Sequence, residues 1–142
     1  APAAALELAD GRMITGKTTD LLGPCAALLL NALKELAGIP HSQPVISPAA
    51  IEPIQTLKTQ YLGSKNPRLH MDEVLIALSV SAASDPNAQK ALEQLPNLKG
   101  CQAHTSVMVS DVDRKLFMKL SIQATFEAKY ENNSVIFPKK GI

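Results

Sequence analysis

A chain of 142 residues suits a single domain, and one of this length buries about 68–70% of its unfolded surface, enough for a core without staples. Hydrophobic residues at 46% exclude disorder, while 4% aromatics and no Trp leave the core to aliphatic side chains. A net charge of +1 gives no reason to expect nucleic acid or an anionic membrane, and the longest apolar run, residues 25–30, is far short of the roughly 20 residues that a span needs.

The start, residues 1–5, lacks Met and the positive flank of a signal peptide, as expected of a piece of a longer chain. Residues 5–16 read as a β-hairpin, with Asp10-Gly11 as a type I′ turn between Leu6-Glu7-Leu8 and Met13-Ile14. A helix follows, starting between Thr19 and Pro24 and ending at Gly38, with Pro40 preventing continuation. Leucines and alanines cover most of its circumference, and Asn31, Lys34 and Glu35 form the one polar stripe. Such a helix is either central or covered by a partner.

Pro44-Val45-Ile46 reads as a short strand, and Ser47-Pro48 as a helix start that Pro53 disturbs, so that the regular helix begins at Pro53. Residues 64–70 form a loop around Asn66-Pro67, a helix spans 72–84, and Asp85-Pro86 restarts another with Ala88, Ala91, Leu92 and Leu95 on one face. Residues 101–109 alternate as a strand. Ser110 caps a helix over 111–120, with Val112, Leu116, Phe117 and Leu120 inward. Residues 122–130 alternate again, giving a strand with one wet face; Asn132-Asn133 turns it and 135–137 pair back. Helices on a mixed sheet follow, with antiparallel pairing where the terminal connections are short.

Residues 14–23, 63–74 and 98–104 carry a family resemblance, centred on Gly16-Lys17-Thr18-Thr19-Asp20, on Gly63-Ser64-Lys65-Asn66-Pro67-Arg68-Leu69-His70 and on Leu98-Lys99-Gly100-Cys101. The sequence resembles the C-terminal part of uncharacterised protein family 0371, the bacterial domain of unknown function 1846, over roughly residues 6–130. The resemblance implies an α/β fold, a three-layer α/β/α sandwich with a mixed sheet and cytidine-deaminase-like topology, as the C-terminal domain of a longer protein. It implies no activity and no cofactor.

Four patterns bear on chemistry. Residues 11–18 fit the spacing G-x-x-x-x-G-K-T, but the first Gly lies in a hairpin turn and no Walker B strand is evident, so chance explains the match. A deaminase zinc site needs His-x-Glu or Cys-x-Glu and Pro-Cys-x-x-Cys; Pro24-Cys25-Ala26-Ala27 is followed by Leu28, and none of His41, His70 and His104 has Glu two residues later. No metal is therefore expected. Cys101 and His104, three apart on a strand, point to opposite faces, which argues against a nucleophile–base pair; both cysteines read as buried free thiols. Asp111, Asp113 and Arg114 read as helix capping and surface charge. The fourth pattern is residues 64–73, where basic side chains lead into a helix N-terminus whose free amides suit an anion.

Two readings follow. In the first, the domain is a docking or oligomerisation module, partnered by the N-terminal region of the same protein or by copies of itself, because the helix at 19–37 is too apolar for full exposure. In the second, it is part of an enzyme or ligand-binding protein and contributes a basic site, made of Lys65, Asn66, Arg68, His70 and Lys17, for a phosphorylated or carboxylated small molecule. The expected location is the cytoplasm, with neither nucleic acid nor membrane as partner.

Overall fold

The computed structural model describes residues 3–127. The hairpin forms, with β1 (Ala3–Glu7) antiparallel to β2 (Met13–Lys17), but its turn is not the expected type I′: that turn needs positive φ at both central residues, whereas only Gly11 is positive, at 91°, and its amide donates to the Leu8 carbonyl. Helix α1 (Pro24–Ala37) starts with Pro at its first position and stops at Gly38, whose left-handed backbone lets its amide and that of Ile39 close on the last carbonyls. Then come α2 (Pro48–Thr56), a π-helical turn (Leu57–Tyr61), α3 (Met71–Ala82), α4 (Pro86–Leu92), β3 (Gln102–Thr105), α5 (Asp111–Lys119) and β4 (Gln123–Phe126).

The sheet order is β2-β1-β3-β4. β1 is antiparallel to both neighbours, whereas β3 and β4 run parallel because α5 carries the chain back between them. The fold is therefore α/β with a mixed sheet. In the register, Ile14, Gly16, Ala4, Leu6, Ala103, Thr105, Ala124 and Phe126 share one face, which packs on the helices. The other face, with Glu7, Met13, Thr15, Gln102, His104, Gln123 and Thr125, is open among the described residues. The outer layer of an α/β/α sandwich is not among those residues.

Helix α1 is central. Its buried face lies against β1 and β2 on one side and α3 and α4 on the other, and Leu28, Ala32 and Leu33 are wholly inaccessible. Leu21, Leu30 and Leu36 are partly buried. The apolar helix is thus covered by its own chain, and the need for a partner there disappears. Even Lys34 is buried along its stem, with Nζ donating to the His41 carbonyl at 2.8 Å.

Four other local expectations change. Pro44-Val45-Ile46 is no strand: Val45 and Ile46 are both buried, so the segment inserts two successive side chains into the core as a bend rather than alternating. Helix α2 begins at Pro48 and runs through Pro53; beyond it the ladder widens into the π turn, where the Leu62 amide reaches the Leu57 carbonyl. β3 ends at Thr105, after which the chain bends while the Ser106 amide still donates to the Ala3 carbonyl. On α5 Phe117 is buried but Val112 is 42% exposed. Ala128, Tyr130 and the turn and strand expected over 132–137 lie outside the described residues.

Candidate functional site

The segments leading into α1 and α3 lie side by side. Leu22 and Leu69 form a parallel bridge in which the Gly23 amide donates to the Leu69 carbonyl at 3.1 Å and the Leu69 amide to the Leu21 carbonyl at 2.9 Å. This strap brings the N-termini of α1 and α3 to one place. The chain leaving β3 adds the N-terminus of α5. Between them is a cleft of about 180 Å³ lined by residues from all three approaches, among them Gly23, Cys25, Asn66, Arg68, His70 and Asp113.

Each wall has a local reason. Asn66 folds its side chain onto the Arg68 amide at 3.1 Å and receives the Ser64 hydroxyl on its carbonyl, an Asx-type turn that shapes the loop. Arg68 is half-buried; its Nε donates to the Thr19 carbonyl at 2.6 Å, and it makes no ion pair among the described residues. His70 is the N-cap of α3, and Glu73 reaches back to its amide at 2.8 Å. Glu73 also pairs with Lys58 at 2.8 Å, and the largely buried Lys58 Nζ donates to the Arg68 carbonyl as well. Burial alone would raise the Glu73 carboxyl, but the Lys58 hydrogen bond, the His70 amide and the charges of Lys58 and His70 outweigh it and hold the group below its usual range.

The three helices differ at their first turns. α5 is capped by Ser110, whose hydroxyl accepts the Asp113 amide, and α3 by Glu73 and Asp113. α1 has Gly23 at its N-cap and no side-chain cap at all. Steric need does not explain that glycine: its φ is −69°, and an added Cβ would find nothing nearer than the Leu69 carbonyl at 3.7 Å. The result is the dipole of a 14-residue helix, directed uncapped at a cleft flanked by a guanidinium and an imidazole.

Of the five residues singled out in the sequence, Asn66, Arg68 and His70 line this cleft and Lys65 and Lys17 do not. Lys65 is exposed on the loop. Lys17 ends β2 and lines a different hollow with Thr15, Thr19, Asn31 and His41. Asp113, expected as helix capping and surface charge, does cap, but it is buried rather than on the surface, and its Oδ1 accepts the Met71 amide at 2.9 Å, tying α5 to α3. Burial, opposed by that amide and by His70, leaves its carboxyl above the usual range. Cys25 is buried in the cleft wall, and desolvation together with the Asp113 charge pushes its thiol up to about 12, so it is no nucleophile near neutrality. Cys25 and Cys101 are both free and buried.

The G-x-x-x-x-G-K-T match is a packing feature. A Cβ on Gly16 would fall within 2.7 Å of the Leu28 backbone and the Pro24 carbonyl, so the residue is glycine because α1 crosses β2 there. Among the described residues no three His, Cys, Asp or Glu side chains are grouped to hold a metal, and no helix is long and apolar enough to cross a membrane. His104 is exposed on the open sheet face, with Nδ1 2.8 Å from the Thr125 hydroxyl and Nε2 3.4 Å from Glu127, and does not meet Cys101.

An α/β domain with this chain order matches one family along nearly its whole length. The model of the C-terminal domain of unknown function DUF1846 covers residues 1–136, and the chain belongs to that family. It is 59% identical over 135 residues to the UPF0371 protein of Corynebacterium efficiens, covering 95% of this chain and 27% of that one. It is 58% identical over 134 residues to the Corynebacterium diphtheriae relative, covering 94% and 27%, and 47% identical over 135 residues to that of Streptococcus uberis, covering 95% and 27%. The chain thus spans about a quarter of the length of these relatives, none of whose names states an activity.

Proposed function

We propose that this domain gives the longer family protein a recognition cleft for the anionic head group of a small molecule, phosphorylated or carboxylated, held by Arg68, His70, the Asn66 turn and the open amides of α1. The observation that carries this reading is the uncapped start of α1 facing the cleft between Arg68 and His70. At about 180 Å³ the cleft takes a head group and little more, since pockets for whole ligands run from about 300 Å³ upward. The remainder of the ligand would meet surfaces supplied by the rest of the longer protein. Lys65 and Lys17 then act at most from a distance, as part of the field around the cleft. Two buried free thiols support a reducing, cytoplasmic setting.

Titration with inorganic phosphate at low and high salt tests the reading. Arg68→Ala should lose about tenfold or more in affinity, Arg68→Lys should be impaired because an ammonium cannot reproduce the planar fork, and Lys90→Ala, an exposed position on α4, should match the parent. Equal affinities in all four proteins would refute it.

A second reading, docking against the rest of the protein or another copy, now rests on exposed apolar residues of α3, Ile76 at 60% and Val80 at 67%, instead of on α1. Ile76→Lys combined with Val80→Lys should then abolish any self-association seen by light scattering, and a parent chain that is a monomer at all concentrations would remove the homo-oligomer.

A further inference from the structure

A carboxyl on the wall of an anion cleft needs an explanation. Asp113 lines the same cleft as Arg68 and His70, is only 7% exposed, and uses Oδ1 to hold the Met71 amide. An asparagine oxygen could also accept that amide; the carboxylate adds attraction to the starts of α3 and α5, but it brings a negative charge to the wall of the cleft that the anion would enter. The charged and titratable groups around Asp113 are His70 and Asp72 from α3 and Cys25 from α1, with Arg68 on the same cleft and Arg114 next to it on its own helix. Arg114 is directed instead to Asp111 and over the Phe126 ring. Asp113 therefore has no full cationic partner of its own among the described residues, and an incoming anion would add a second negative charge beside it.

Resting on the proposed anion cleft, we infer that one proton lies between Asp113 and the bound anion, so the cleft selects phosphate-type ligands that bring their own proton over anions that cannot. A monohydrogen phosphate donates its P–O–H to the Asp113 carboxylate. A sulfate, with no proton to give, binds only when Asp113 has taken one from water and donates it to a sulfate oxygen. The proton count balances in both cases: none is taken up with monohydrogen phosphate, and one is taken up with sulfate. Burial favours the protonated carboxyl and so supports the second route.

Affinities for sulfate and inorganic phosphate, measured by calorimetry across about pH 5 to 9 on the parent chain, Asp113→Asn and His70→Gln, test this. The parent should bind sulfate about tenfold more weakly for each pH unit above the carboxyl's titration, so that its preference for phosphate widens with pH and is at least about tenfold near pH 8. Asp113→Asn should retain the fold, bind sulfate more tightly near pH 8 and lose both the pH dependence and the preference. His70→Gln should bind both ions more weakly yet keep the preference. A sulfate pH dependence that survives in Asp113→Asn, or a parent that does not distinguish the two ions, would overturn the inference while leaving the cleft intact. Binding of neither ion would overturn the cleft and the inference with it.

Discussion

The segment ahead of α1 holds two glycines, one at the end of β2 and one opening the helix, and the molecule uses them in opposite ways. At the end of β2, Gly16 is consumed by packing: its missing side chain lets α1 cross the strand, and nothing is left open for a ligand. Seven residues later Gly23 has room for a side chain and carries none, so the start of the same helix stays uncapped beside Arg68 and His70. A glycine beside a helix N-terminus suggests an anion only when packing has not already claimed it.

That contrast can be broken at several points. Gly16→Ala should be the most damaging change, because backbone rather than a flexible side chain meets the new methyl. A loss of about 3 kcal/mol, read by denaturant unfolding, is expected, whereas Gly23→Ala should cost under about 1 kcal/mol. Equal losses at the two positions would erase the distinction. Next in size is Lys58→Met, which strips Glu73 of its partner at the π turn and should cost about 2 kcal/mol while also loosening the Arg68 loop. Because the folded Glu73 carboxyl is held low, its contribution is present above its unfolded value of 4.5 and is lost as pH falls through the folded value. Asp113 has the opposite sign: its raised carboxyl penalises the fold as pH rises from 3.8 through the folded value, so Asp113→Asn should raise stability near neutrality, with little effect in acid. Thermal melts of Glu73→Gln and Asp113→Asn across pH should therefore diverge, and parallel curves would contradict the two environments described. The smallest effect is at Cys25, whose buried, high-titrating thiol should resist alkylation near pH 7 until the chain unfolds, as mass spectrometry would show.

Much of the fold was legible because its signals are local. Asp10-Gly11, Pro24 with Gly38, Asp85-Pro86 and Ser110 mark turns and helix ends by backbone chemistry that needs no distant partner. Pro44-Val45-Ile46 misled because an apolar triplet reads alike as a strand or as a plug in the core. Half of the site was legible for the same reason: Asn66, Arg68 and His70 are one loop running into a helix. Gly23, Cys25 and Asp113 were not, since what makes them neighbours is the one-residue bridge between Leu22 and Leu69 and the hydrogen bond from Met71 to Asp113, contacts that leave no periodic trace. The one available sign was the poor N-cap: a long helix that opens on Gly23-Pro24, where Ser, Thr, Asp or Asn is favoured.

The central claim is that the uncapped start of α1 beside Arg68 receives the anion, and backbone amide resonances report it most directly. In a titration with inorganic phosphate followed by nuclear magnetic resonance, the amides of Cys25 and Ala26 should shift and saturate together with those of Arg68 and His70. Arg68→Ala should move their saturation to phosphate concentrations about tenfold higher or more, and Lys17→Ala should leave it unchanged. Saturating shifts centred on Lys17, Thr18 and Thr19, with Cys25 and Ala26 unmoved, would contradict the account and return the site to the β2–α1 junction.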